Sequence, residues 1–279
     1  MIQPTSKEIA EALDLPDLLS ATVIDGGQNN SILDTGKLIV RIPRHDEARS
    51  DLAREAVVLA ALAQRLPLPV PAPELRDVGP LVVAVHRKLP GEPLLSLDGM
   101  DDAQSRDLAR DLALFLRALH ALPGEILPLP APDDPMAEWR DLLGQVEARV
   151  FPLVPSDFGV SIAAQFDRFF ANGPYPRTVI HGDFGTGNIL VHDDRASGVI
   201  DFSGCSIGDP AYDLASLSAG LGDGFLDLMR DYPGIAGMAG RIQFYRSTFP
   251  LLDVLFGLEH GDAHALEAGL QALRCQPRR

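Results

Sequence analysis

Apolar residues recur along this chain in two rhythms, and the change from one to the other separates a short β-rich beginning from a long helical remainder. The opening segment SKEIAEALDL carries apolar positions at helical spacing. Residues 21–24 and 37–42 are β-rich runs that flank a Gly- and Asn-rich stretch containing Gly26, Gly27 and Ser31. Backbone N–H groups in such a stretch can approach phosphate oxygens, and a plain hairpin turn would have the same composition. Next, EARSDLAREAVVLAALAQRL lines Leu52, Ala56, Leu59 and Leu62 along one helical face. The Pro-rich PLPVPAPELRDVG reads as a connection, and LVVAVHRKLPGEPL as a strand stopped by Pro90, Gly91 and Pro93.

That stop divides the chain into two parts, residues 1–90 and 91–279. In the second part SRDLARDLALFLRALHALP is strongly amphipathic, with Leu108, Leu112, Phe115 and Leu119 on one side and Asp101 and Asp102 at its start. His120, at its end, is expected to be a hydrogen-bonded structural residue. Two short apolar runs, residues 189–191 and 199–201, are separated by the polar DDRASG and predict a hairpin. Three further helical patterns follow, in LGDGFLDLMRDY, AGRIQFYRSTFPLLDVLFGLEHGD and AHALEAGLQALR. The fold class is α+β, and the chain has neither an internal repeat nor a low-complexity tract.

Composition narrows the function classes. With 279 residues, 46% hydrophobic and 23% charged, the chain can bury a sizeable core. No apolar run reaches the roughly 18 residues of a membrane span, and the first twenty positions lack a secretory core, so a cytoplasmic protein is expected. Two cysteines, Cys205 and Cys275, stand far apart without metal-ligand spacing and suggest neither a disulfide framework nor a zinc site. A net charge of −15 argues against a nucleic-acid partner and is compatible with a cationic small molecule.

The chemistry concentrates in VIHGDFGTGNILVHDDRASGVIDFSGCSIGDPAYDLA. In HGDFGTGN, Asp183 can accept a hydroxyl proton, and Asn188 supplies a neutral oxygen of the kind Mg²⁺ takes beside carboxylates. Asp201, in VIDFSG, is the anionic partner, and a hairpin between them would bring Asn188 and Asp201 together. Each residue alone could be a turn former or a cap. All three in this order, flanked by apolar strands, point to phosphoryl transfer.

These segments, with GDPAYDLA, resemble aminoglycoside phosphotransferases and related small-molecule kinases, which share the bilobal fold of protein kinases. The resemblance implies a small N-terminal nucleotide-binding lobe (1–90, ending in the hinge) and a larger, mostly helical lobe (91–279) with the catalytic loop and the acceptor site. It implies Asp183 as base and Asn188 and Asp201 as Mg²⁺ ligands, with ATP or GTP as co-substrate. It places Ser31 in the phosphate loop, Arg41 on the phosphates paired with Glu55, and the backbone near Arg87 and Leu89 against the purine. Arg41 stands where many relatives carry Lys, and the two are not interchangeable on a phosphate. Gly182 replaces the Arg through which protein kinases sense phosphorylation, and no length remains for an activation segment. His181, Asp209 and Asp213 are expected to be structural, the two aspartates bonding backbone groups under the catalytic loop.

The C-terminal FYRSTFPLLDVLFGLEHGD is similar to the ending of aminoglycoside 2''-phosphotransferase-type enzymes and, more loosely, of macrolide phosphotransferases. An aminoglycoside acceptor needs carboxylates around its ammonium groups, and Asp223, Asp227 and Asp253, with Tyr245 as a wall, are the candidates. Trp139 and the helices around it are expected near the same site. A macrolide kinase, a choline, homoserine or sugar kinase, and an inactive kinase-like nucleotide-binding module are the alternatives.

Overall fold

A computed structural model of the chain describes residues 4–24 and 29–275. Gly26 and Gly27 lie outside the described residues. The N-terminal part is built on one antiparallel sheet in the order β1-β2-β3-β5-β4, with β1 Thr22–Ile24, β2 Asn30–Asp34, β3 Leu38–Pro43, β4 Glu74–Val78 and β5 Leu81–Arg87. Helix α1 (Ser6–Leu13) closes this sheet's own small core, in which Ile9 and Leu18 meet Leu33, Val40, Ile42 and Val83. A capping box between Thr5 and Glu8 starts α1, which satisfies two of its otherwise unpaired donors. Helix α2 (Asp46–Leu62) buries Leu52, Ala56, Leu59 and Leu62, the face its spacing predicts.

Two strands here contradict the sequence reading. The Gly- and Asn-rich stretch contains β2, whose NSILD has too few apolar residues to stand out. The Pro-rich connection contains β4, an exposed edge strand that tolerates the polar ELRD.

Beyond Arg87 the chain leaves this sheet. Glu92–Pro93 forms a two-residue strand, β6, that pairs with β8 (Ile189–His192). At Gly91 the backbone takes φ +104°, and an added Cβ would sit 2.6 Å from the Val191 carbonyl oxygen, so the crossing is tight enough to exclude a side chain. The remainder is helical: α3 Asp102–His120, α4 Ala137–Arg149, α5 Ser156–Ala171, α6 Ala211–Leu221, α7 Asp223–Leu226, α8 Ile235–His260 and α9 Ala263–Cys275. Asp101 caps α3 by accepting from the N–H groups of Ala103 and Gln104, and Leu108, Leu112, Phe115 and Leu119 are fully buried. The expected helix in LGDGFLDLMRDY shrinks to the four residues of α7, because Gly222 and Gly234, both at positive φ, bracket it. Helix α6 had no clear periodic signal of its own. Among the described residues no helix is long and apolar enough to cross a membrane.

The hairpin of β8 and β9 (Arg195–Val199) forms as expected but with a tighter turn. Asp193 and Asp194 alone make it, at φ 50° and 60°, the two left-handed residues that a two-residue hairpin loop requires. The residues RASG that read as turn belong to β9. Asp201 therefore lies beyond the strand instead of inside it.

Candidate functional site

Three segments converge where β7 (Thr178–Ile180) runs into the loop holding Asp183. The loop is fixed from below by Asp213 of α6, which has no exposed surface. Its Oδ2 accepts the N–H of His181 at 2.8 Å and its Oδ1 the N–H of Gly182 at 2.9 Å, while His120 Nε2 lies 3.0 Å from Oδ2. Burial pushes the Asp213 carboxyl up, but the bond and charge of His120 and the contacts to His181 outweigh it, leaving it below the usual carboxylate range. His120 in turn lies 2.7 Å from the Tyr232 hydroxyl, so both ring nitrogens are engaged. His181 is equally occupied: Nε2 is 3.0 Å from the Ile200 carbonyl and Nδ1 accepts the Asp183 N–H at 3.3 Å, with the ring between Phe184 and Phe202. Both histidines and Asp213 therefore have the structural character expected of them.

Asp209 differs from expectation. Instead of supporting the loop that holds Asp183, it starts α6 by accepting the Ala211 N–H and ties in α8 through Arg241 at 2.6 Å and the Tyr245 hydroxyl at 3.1 Å.

Above this support Asp183 is exposed. Asn188 Nδ2 donates to both the backbone carbonyl and the Oδ2 of Asp183, each at 2.9 Å. That orientation leaves Asn188 Oδ1 without a donor among the described residues. The hairpin register then brings Asp201 close, because Ile189 pairs with Val199 and the Ile200 N–H donates to the Asn188 carbonyl at 2.9 Å. Asp201 sits at φ 59°, ψ 73°, a conformation that costs a non-glycine residue energy and is concentrated at functional sites. Its Oδ1 accepts from the Ser203 hydroxyl at 2.7 Å, and Oδ2 accepts no hydrogen bond from the described residues. Two open oxygens, one neutral and one anionic, fit a hard cation that completes its shell with water and phosphate oxygens. Among the described residues no cluster of three or more His, Cys, Asp or Glu could hold a metal.

Gly182 acquires a positive reason here. It adopts φ +80°, and a Cβ would fall 2.1 Å from the Gly204 carbonyl oxygen. The Asp183 loop and the segment after Asp201 touch through bare backbone, which excludes every side chain.

The expected nucleotide residues are distributed along the sheet and its exit. Ser31 on β2 faces Ile42 of β3 in register. Arg41 Nη1 donates to Glu55 Oε2 at 2.7 Å, and Glu55 Oε1 accepts the Phe202 N–H at 3.1 Å, so one buried carboxylate joins β3, α2 and the Asp201 segment. Arg87 ends β5 with an exposed side chain, and the Leu89 side chain packs over Gly198 of β9. Cys205, expected to be a small buried residue, is buried, with its thiol pushed up to about 12 by desolvation.

A cavity of about 300 Å³ opens beside the Asp183 loop, with Gly182 and Gly204 on one side and Trp139, Tyr175, Tyr212 and Tyr245 among its walls. Of the four acceptor candidates it includes Tyr245 alone. Asp223 is exposed and paired with Arg246, while Asp227, just after α7, and Asp253, on α8, are exposed outside the cavity. No sequence signal marked Arg177 or Tyr175, which reach the cavity from the irregular NGPYPR segment.

Residues 20–241 match the model of a family described as the phosphotransferase enzyme family. Viomycin phosphotransferase of Streptomyces vinaceus is 28% identical over 282 residues, covering 97% of this chain and 98% of the relative. Homoserine kinase of Methylorubrum populi is 30% identical over 238 residues, 81% of this chain and 72% of the relative. The GDP complex of wild-type aminoglycoside 2'-phosphotransferase-IIIa superposes with TM-score 0.84 at 23% identity, over 97% of this chain and 98% of that one. A macrolide 2'-phosphotransferase from Brachybacterium faecium gives 0.69 at 24%, over 93% of each chain. At such identities these structures speak for the fold, a kinase-like small sheet followed by a helical region.

Proposed function

The chain belongs to the phosphotransferase enzyme family and is a small-molecule kinase, and from that premise we propose that it transfers the γ-phosphoryl group of ATP or GTP to a hydroxyl of an antibiotic. An aminoglycoside is the first candidate acceptor. Viomycin stands beside it, because the relative that acts on it matches almost the whole length of this chain.

The observation that carries this reading is the joined set of Asp183, Asn188 and Asp201. Asp183 is oriented by two bonds from one Asn188 amide and by the Asp213 support beneath, which leaves its Oδ1 to receive the acceptor's proton. Such orientation is the principal contribution a protein can make to phosphoryl transfer, where little covalent chemistry is asked of it. Asn188 Oδ1 and Asp201 would hold Mg²⁺, which supplies neutralisation of charge on the phosphates. The Arg41–Glu55 pair would present a guanidinium to the same phosphates, with Ser31 on the neighbouring strand and the backbone near Arg87 and Leu89 as the purine contact. The lobe division at 90/91 belongs to this reading, as does a cytoplasmic setting, where the nucleotide is plentiful.

A metabolite hydroxyl is the second reading, favoured by the homoserine kinase match over four-fifths of this chain. One assay separates the two: incubation with Mg²⁺ and ATP or GTP against aminoglycosides, viomycin, macrolides and small hydroxy amino acids. Product is expected with one class. Asp183→Ala should lower turnover roughly 10²- to 10⁴-fold while nucleotide still binds, and an unchanged rate would remove Asp183 from the role of base.

A further inference from the structure

One face of the N-terminal sheet leaves apolar side chains outside both cores. The register sets Leu33, Val40 and Val85 toward the core under α1, so Ile32, Ile39, Arg41 and His86 share the opposite face, with Ile39 directly across from His86. Ile32 and Ile39 are half-buried, yet they pack into neither of the two clusters. Arg41, on the same face, is joined through Glu55 to the segment after Asp201. His86 ends this face where the chain leaves the sheet. Its Nδ1 lies 2.8 Å from the Arg87 carbonyl oxygen. A carbonyl only accepts, so Nδ1 carries the hydrogen and Nε2 of the neutral ring is an acceptor. Burial, aided by the charge of Arg41, holds the ring below the ordinary histidine value against the bond to Arg87 and the charge of Glu55, which keeps it neutral near pH ~7. Nε2 has no hydrogen-bond partner among the described residues, and it is not one of the polar atoms sealed from solvent. Lys88, the neighbouring cation, is taken by Asp34 at 2.8 Å. The Arg87 carbonyl is a second acceptor at the same place. Lys88 N–H donates to the Lys37 carbonyl at 2.8 Å, which in an antiparallel ladder turns the backbone groups of Arg87 away from β3, and β4 pairs no further than Val85.

An apolar face that ends in two neighbouring acceptors matches a flat ring carrying an amino group, and we propose that His86 reads the purine and makes this kinase prefer ATP to GTP. Adenine has an amino group at C6, whose two N–H donors suit His86 Nε2 and the Arg87 carbonyl. Guanine has an oxygen at that position, which would meet lone pairs where it needs donors. The inference rests on the phosphotransferase reading for the nucleotide being there at all, but nucleotide binding can be measured without acceptor or turnover.

Titration calorimetry with Mg²⁺ and no acceptor isolates the C6 group through four ligands: ATP, GTP, purine riboside triphosphate, which lacks the amino group, and inosine triphosphate, which has guanine's C6 oxygen without its 2-amino group. ATP should bind roughly ten- to a hundredfold more tightly than GTP, with purine riboside triphosphate between them and inosine triphosphate level with GTP. This series uses the wild-type protein and needs no variant to fold. His86→Leu keeps an apolar side chain and removes the acceptor, so it should bring ATP and GTP within roughly threefold of each other. His86→Gln should narrow the gap as well, because its amide can turn either an oxygen or an NH₂ group to the base. Equal affinity of the wild type for ATP and GTP, inosine or purine riboside triphosphate binding as tightly as ATP, or an undiminished ATP preference in folded His86→Leu protein would overturn the proposal. Phosphotransfer surviving such a result would leave the enzyme assignment standing, whereas failure of every nucleotide to bind would remove both.

Discussion

At the scale of single residues, the site is organised by groups whose task is to hold other groups. Gly182 shows this best, because its lack of a side chain reads in the sequence as a missing sensor and in the structure as the contact that lets two loops meet. Gly182→Ala would place a methyl 2.1 Å from the Gly204 oxygen and ask alanine for φ +80°. The strained backbone alone is worth roughly 1–3 kcal/mol, and relief by loop movement would separate Asp183 from Asp201. The expected outcome is a lower melting temperature together with a fall in kcat larger than any change in nucleotide KM. The meeting of Asp183, Asn188 and Asp201 was legible because the three stand in order around a hairpin that the apolar runs announce. Arg177 was not, because an arginine in an irregular Pro-rich segment has no periodicity to announce that it lines a cavity.

At the scale of elements, legibility followed hydrophobic contrast. Helices α2 and α3, each with a continuous apolar stripe, matched their predicted faces position by position. Strands β2 and β4 were missed because register with a neighbour and edge position, not their own polar sequences, make them strands. The joint between elements is similarly hidden: Glu55 is 3% exposed and links α2 to Arg41 on β3 and to the Phe202 N–H. Glu55→Gln removes the charge while keeping the shape, leaving Arg41 half-paired in a poorly solvated place. A loss of about 1.5–3 kcal/mol in urea denaturation is expected, with a higher KM for the nucleotide and a smaller change in acceptor KM.

At the scale of the whole molecule, one buried carboxylate links helix α3 to the loop that holds Asp183. Asp213 joins α6 to α3 through His120 and to the loop through two backbone N–H groups. Its folded carboxyl titrates below the ordinary carboxylate value, so the unfolded chain binds that proton more readily. The stability it contributes is full above the unfolded value, near ~3.9, and is lost as pH falls through the folded one. Thermal melts between neutral pH and about pH 3 should show this acid-side decline in the wild type and a shallower one in Asp213→Asn, which starts from a lower melting temperature throughout. The plan of a small sheet followed by helices was legible from the Pro-Gly stop and the motif order, whereas the cavity was not, because its walls come from four separate segments. Between Gly204 and Asp209 the chain has room for the short strand Ser206–Gly208, paired with β7, and for little else. A phosphorylated control loop of the protein-kinase kind would have to be inserted at that place, and each added residue would have to leave the Ser206–Ile180 pairing intact.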